Sequence, residues 1–123
     1  MTRIAVLADD LIWATRLTDL IRNAGAEPVP ARTLDHLQRS LLEVDGVVVD
    51  LTARAYDGIE AIRVARTARR SVLAVGQHDD VEQRREALEA GAVFAPYRRL
   101  VDGRSRLVDE WLMGSVLVAA FGP

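Results

Sequence analysis

Short apolar segments alternate five times with segments of helical periodicity, and no other feature of the chain constrains its fold as much. The apolar segments span residues 3–8, 26–31, 46–51, 71–76 and 93–97. After each of them, apolar residues recur every three or four positions, which is typical of an amphipathic helix. Strands that alternate with helices form a parallel sheet covered by helices on both faces. We therefore predict an α/β fold with three layers, α/β/α.

The prolines indicate the order of the strands. Pro28 and Pro30 lie in the second segment and Pro96 lies in the fifth, whereas the other three segments contain none. Proline has no amide hydrogen to donate, so within sheets it is confined to edge strands or to the first residue of a strand. A doubly wound sheet of order 2-1-3-4-5 places the second and fifth strands at its edges. The prolines therefore favour this order.

The last helical segment, about residues 104–120, is apolar on two sides. A helix of this kind is either deeply buried or in contact with a partner. We therefore expect a homodimer formed through this helix. Trp111 is either a packing residue or an anchor of that interface. One side carries Val108, Leu112, Val116 and Ala119, and the other carries Leu107, Trp111 and Val118.

Length and composition narrow the classes of function. The 123 residues suit one domain, 1–123, and leave no room for an output domain, so we expect a stand-alone module. The chain has no cysteine, which excludes disulfides and thiolate chemistry. A net charge of −2 gives no reason to expect nucleic acid as a partner. The sequence shows neither a signal peptide nor a membrane-spanning segment, so we expect a cytoplasmic protein.

Three carboxylates follow two of the predicted strands. Asp9 and Asp10 come directly after the first strand, and Asp50 ends the third. In the order 2-1-3-4-5 these two strands are neighbours, and ligands bind at the carboxyl ends of the strands there. Mg²⁺ is the natural resident of such an acidic crevice, and a carboxylate beside it can accept a phosphoryl group. The alternatives are purely structural roles, in which Asp50 is only the polar end of a strand and the acidic pair caps a helix.

These motifs resemble the response-regulator receiver family (CheY-like). The acidic pair after the first strand, the run "VVVDLTARAYDGIEAI" and the "EAGA" of residues 89–92 follow that family in order and spacing. The resemblance covers about residues 3–118 and implies the flavodoxin-like fold of that family. It implies that Asp50 is the phosphoacceptor position. It also implies that Asp9, Asp10, Asp50 and the backbone carbonyl of Thr52 would hold Mg²⁺.

The chain departs from the family at the positions that contact the phosphoryl group or respond to it. The family has Ser or Thr at the end of the fourth strand, where this chain has Gly76. The family has a lysine after the fifth strand, but this chain contains no lysine, and counting from Gly91 places Arg98 there. An aromatic residue is usual three places earlier, where this chain has Ala95, with Tyr97 nearby. Arg98 is the best candidate to pair with Asp50, and the alternative is that it is a surface arginine.

We therefore predict a two-component signalling protein of the receiver type, without enzymatic activity, in which the switch positions Gly76, Tyr97 and Arg98 are altered. Such a pseudo-receiver would act through contacts with a sensor kinase or a downstream target. One alternative is a conventional response regulator, phosphorylated on Asp50 with Mg²⁺. Another is a small flavodoxin-like enzyme or cofactor binder. We expect no organic cofactor, because the stretch after the first strand has no glycine to approach a phosphate.

Overall fold

The computed structural model describes residues 1–102 and 106–121, and it describes the side chains of the last helix as far as Gly114. Five strands and six α-helices follow one another in the described part of the chain, with a short 3₁₀ helix at Leu41–Glu43. The strands are β1 (Arg3–Leu7), β2 (Glu27–Ala31), β3 (Gly46–Asp50), β4 (Ser71–Gly76) and β5 (Val93–Pro96). The helices are α1 (Leu11–Asn23), α2 (Leu34–Ser40), α3 (Gly58–Thr67), α4 (Val81–Glu89), α5 (Tyr97–Leu100) and α6 (Leu107–Phe121).

All five strands are parallel and lie in the order β2-β1-β3-β4-β5, which confirms the predicted fold class and strand order. The prolines lie in the two edge strands, as their missing amide hydrogens require. The central strand β3 is buried along its whole length. Asp50 is its last residue, and it pairs with Val75 of β4. The sheet therefore delivers the Asp50 carboxyl group to the edge where β1 and β3 end side by side.

The core lies in two layers, one on each face of the sheet. On one face, α2, α3 and α4 pack against side chains of β1, β3 and β4, with Leu37 and Ile62 fully buried. On the other face, α1, α5 and α6 pack against the alternate residues of the same strands, with Leu17 and Ile21 buried. Successive residues of a strand point to opposite faces of the sheet, and helices cover both faces. The sequences of the buried strands are therefore apolar throughout.

Side-chain caps set the starts of four helices. The hydroxyl of Thr33 accepts from the amide of His36, and a carboxylate oxygen of Asp80 accepts from the amide of Gln83. Asp10 caps α1 and Asp57 caps α3 in the same way. Each cap directly precedes its helix, so the caps fix where the loops at the carboxyl edge of the sheet end and the helices begin.

All strand boundaries lie within one residue of the predicted ones, and two differences, at the end of β5 and at the start of α6, change the interpretation. The fifth strand does not run to Tyr97, because the chain turns at Pro96 and Tyr97 begins the short helix α5. The last helix begins at Leu107, later than residue 104. Within α6, Trp111 and Leu112 are both buried in the core, so Trp111 is a packing residue and not an interface anchor.

The predicted dimer surface on α6 lies partly outside the described residues. The side chains of Val116, Val118 and Ala119 belong to that part of the helix. The homodimer therefore stays a prediction. Among the described residues, no helix combines the length and the apolar character needed to cross a bilayer.

Candidate functional site

The candidate site is built around Asp50 at the carboxyl end of β3. Its side chain is 0% exposed, although a carboxylate is among the groups least often buried. One of its oxygens, Oδ1, accepts hydrogen bonds from the amide of Thr52 at 2.9 Å and from the Thr52 hydroxyl at 2.8 Å. The hydroxyl of Tyr97 also donates to Oδ1. Three donors therefore converge on a single oxygen atom of this carboxylate.

The other oxygen of Asp50, Oδ2, is buried and has no hydrogen-bond partner among the described residues. A buried polar atom without a partner costs free energy, and a buried carboxylate without a cation costs more. The donors on Oδ1 offset part of this cost. The burial of Asp50 thus depends on Thr52 and Tyr97.

Tyr97 reaches Asp50 because β5 ends at Pro96 and the chain turns into α5 at that point. Its ring packs on the ring of Trp13 of α1, with 3.9 Å between centroids, and the residue is 7% exposed. Its hydroxyl also lies 2.8 Å from the Thr52 hydroxyl. Burial raises the pKa of Tyr97 well above its ordinary value, and the hydrogen bond with Asp50 raises it further. Tyr97 therefore remains a neutral hydrogen-bond donor at physiological pH.

A second tyrosine closes the crevice between β1 and β3. The hydroxyl of Tyr56 lies 2.9 Å from the carbonyl oxygen of Leu7 and 2.7 Å from that of Asp50, so it links the last residues of the two strands. Burial raises the pKa of Tyr56 strongly, and the nearby carboxylates of Asp50 and Asp9 add to the effect. Sequence reasoning missed this residue. In the sequence, the only indication of this role is that Tyr56 is an aromatic residue in the loop that follows Asp50.

Both carboxylates of the acidic pair after β1 accept hydrogen bonds from backbone amides. Asp10 accepts from the amides of Ile12 and Trp13 as the N-cap of α1. Asp9 reaches across to the loop after β3, where its Oδ2 accepts from the amides of Arg54 at 3.1 Å and Ala55 at 3.0 Å. The two carboxylates thus stabilise a helix start and a loop.

The prediction that three carboxylates converge on one cation site is corrected by this arrangement. In residues 1–102 and 106–121, no three His, Cys, Asp or Glu side chains are placed so that they could hold a metal ion together. Thr52, whose backbone carbonyl is a predicted ligand, engages Asp50 through its amide and hydroxyl. Mg²⁺ prefers near-octahedral oxygen ligands, typically one or two carboxylates together with several waters. Oδ2 of Asp50 has no hydrogen-bond partner among the described residues, so binding of Mg²⁺ stays a prediction.

The prediction that Arg98 pairs with Asp50 is also corrected. Arg98 is exposed in the first turn of α5, and the structure contains no salt bridge between it and Asp50. Since the helix begins at Tyr97, the tyrosine hydroxyl takes the place expected for the cation. Gly76 lies at the end of β4 beside Pro96 of β5, as predicted, and it supplies no hydroxyl.

Neither a protein-family model nor a curated protein sequence matches this chain. Its structure, however, is similar to solved receiver domains. A response regulator receiver domain protein from Clostridium thermocellum superposes with a TM-score of 0.80 at 16% identity, with 98% of each chain covered. The signal receiver domain of the DNA-binding response regulator merR from Colwellia psychrerythraea gives 0.76 at 19% identity, with 95% of this chain and 99% of that chain covered.

A longer protein contains the same fold as one part. NtrX from Brucella abortus gives a TM-score of 0.80 at 18% identity, covering 97% of this chain and 29% of that chain. At identities this low the likeness establishes the fold alone. The chain therefore has the CheY-like, flavodoxin-like fold found in receiver domains of response regulators.

Proposed function

We propose that this protein is a receiver-like signalling module that acts through protein contacts, without enzymatic activity and without phosphoryl transfer to Asp50. The observation that carries the proposal is the capping of the buried Asp50 carboxylate by the hydroxyls of Thr52 and Tyr97. The fold and the position of Asp50 support a receiver ancestry. Its partner would be another signalling protein, either a kinase or a downstream target.

The argument against phosphoryl transfer is electrostatic and geometric. A carboxylate nucleophile has to reach the phosphorus atom, and the charge that builds up on the transferred group has to be balanced by cations. Here Oδ1 of Asp50 already accepts from three donors, and the side chain is fully buried. The nearby carboxylate of Asp9 is engaged by loop amides. A tyrosine hydroxyl can donate a hydrogen bond but carries no positive charge.

The test is incubation of the whole chain with a small phosphodonor and Mg²⁺, followed by intact-mass measurement. We expect no mass increase. Asp50→Ala serves as the matched control for any adduct that forms elsewhere. An increase of one phosphoryl group in the wild type that is absent from Asp50→Ala would overturn the proposal.

One observation favours the alternative of a conventional response regulator phosphorylated on Asp50 with Mg²⁺. Oδ2 of Asp50 lacks a hydrogen-bond partner among the described residues, so this atom retains the capacity to bind another group. Such a reaction would require the Asp50 side chain to become accessible and the site to acquire a cation. The same mass measurement distinguishes the two proposals. The cytoplasmic location stays a prediction from the sequence.

A further inference from the structure

The end of β4 is crowded around Gly76. A Cβ atom at this position would lie 3.1 Å from Cε2 of Phe94 and 3.4 Å from Oε1 of Gln83. It would also lie 3.5 Å from Cδ1 of Leu51. Distances below 3.4 Å are tighter than ordinary contacts, so any side chain at position 76 would displace its neighbours. Because glycine has no Cβ, side chains from β5 and α4 occupy the space beside its backbone.

Gln83 enters this space from α4 and makes a specific contact there. Its side-chain amide donates to the carbonyl oxygen of Leu51 at 2.9 Å, across 32 residues of sequence. Its own backbone amide is held by the Asp80 cap at 3.0 Å, so the base of the side chain is fixed. Leu51 lies between Asp50 and Thr52, at the start of the loop that caps the carboxylate. Gln83 thus connects the first turn of α4 to that loop.

We propose that Gln83 is a latch that fixes the N-terminal turn of α4 to the loop after β3, in the space beside Gly76. The latch holds α4 in one position against the sheet, whatever the chemistry at Asp50. It also holds the backbone from which Thr52 donates to Asp50. The inference goes beyond the proposed function, since it does not depend on whether Asp50 accepts a phosphoryl group.

Amide hydrogen exchange of the whole chain, followed by mass spectrometry, tests the latch. Gln83→Met keeps the length of the side chain and removes the amide donor. We expect peptides spanning 51–57 and 77–84 to exchange about five-fold faster, the ratio for the loss of one hydrogen bond of typical net strength. Gln38→Met is the matched control, because Gln38 is an exposed glutamine of α2. Wild-type exchange rates in both peptides of Gln83→Met, or equal changes in the control, would overturn the inference.

A thermal-unfolding cycle provides a second test that does not depend on Gln83→Met being well folded. Gly76→Ala should lower the melting temperature, because its Cβ would lie 3.1 Å from Cε2 of Phe94 and would have Oε1 of Gln83 beside it at 3.4 Å. In the Gln83→Ala background the same change should cost less, because with Oε1 of Gln83 gone the Cβ and Phe94 have room to adjust. Additive effects of the two substitutions would show that Gln83 does not occupy the space beside Gly76 and would overturn the inference.

Discussion

Replacing Tyr97 by phenylalanine is the sharpest perturbation of the candidate site. The change removes the hydroxyl that donates to Asp50 and retains the ring that packs on Trp13. Because the ring is kept, no large cavity forms, and the buried apolar area is nearly unchanged. The effect on stability therefore isolates the hydrogen bond.

The expected magnitude follows from the environment of Asp50. Hydrogen bonds to charged groups contribute about 1.5–3 kcal/mol. Thr52 continues to donate twice to the same oxygen, so we expect a loss near the lower end, about 2 kcal/mol in the free energy of unfolding. With a urea dependence of about 2 kcal/mol/M, typical of a small domain, the unfolding midpoint should fall by about 1 M.

Urea unfolding followed by circular dichroism measures this midpoint. Arg98→Ala is the matched control, because the neighbouring residue is exposed and surface substitutions change stability by less than about 0.5 kcal/mol. In a double-mutant cycle with Asp50→Ala, the cost of Tyr97→Phe should shrink, since its acceptor is gone. A midpoint unchanged in Tyr97→Phe, or an equal shift in Arg98→Ala, would refute the role assigned to Tyr97.

Two further predictions concern the tyrosines and a buried glycine. Burial raises the pKa of Tyr56 and Tyr97, the only two tyrosines of the chain, above the ordinary value of 10.0. Above about pH 10 the tyrosines of the unfolded chain lose protons that the folded chain retains, so the free energy of unfolding should fall as the pH rises further. Tyrosinate absorbance near pH 10 in a protein that is still folded would contradict this. Gly46→Ala should cost about 1–3 kcal/mol, because its Cβ would lie 3.2 Å from Ile4, from Trp111 and from a β4 carbonyl oxygen. An unchanged melting temperature would show that this site can relax.

Much of the fold was predictable because its determinants are local in sequence. The prolines of β2 and β5 cannot donate to a ladder, so they identified the two edge strands. Thr33 and Asp80 cap helices that begin directly after them. The position of Asp50 at the end of a buried apolar run followed from the same kind of local pattern.

The contacts of the site were less predictable because they join distant residues. Counting from Gly91 assumed a fifth strand long enough to bring Arg98 to the site, but the chain turns at Pro96 and presents Tyr97 instead. Tyr97 then bonds to a side chain 47 residues away, and Gln83 to a carbonyl 32 residues away. The acidic pair was correctly placed after β1, but its engagement by backbone amides depends on the path of the loop after β3.

Binding of beryllofluoride, a noncovalent mimic of a phosphoryl group, tests the central claim most directly. The measurement is the thermal unfolding of the wild type and of Asp50→Ala with beryllofluoride and Mg²⁺. A ligand present at about 100 times its dissociation constant stabilises the folded state by about 2.7 kcal/mol, a readily measured shift. If the hydroxyls of Thr52 and Tyr97 keep Asp50 capped, the wild type should show no shift. A saturable stabilisation of the wild type that is lost in Asp50→Ala would contradict the account.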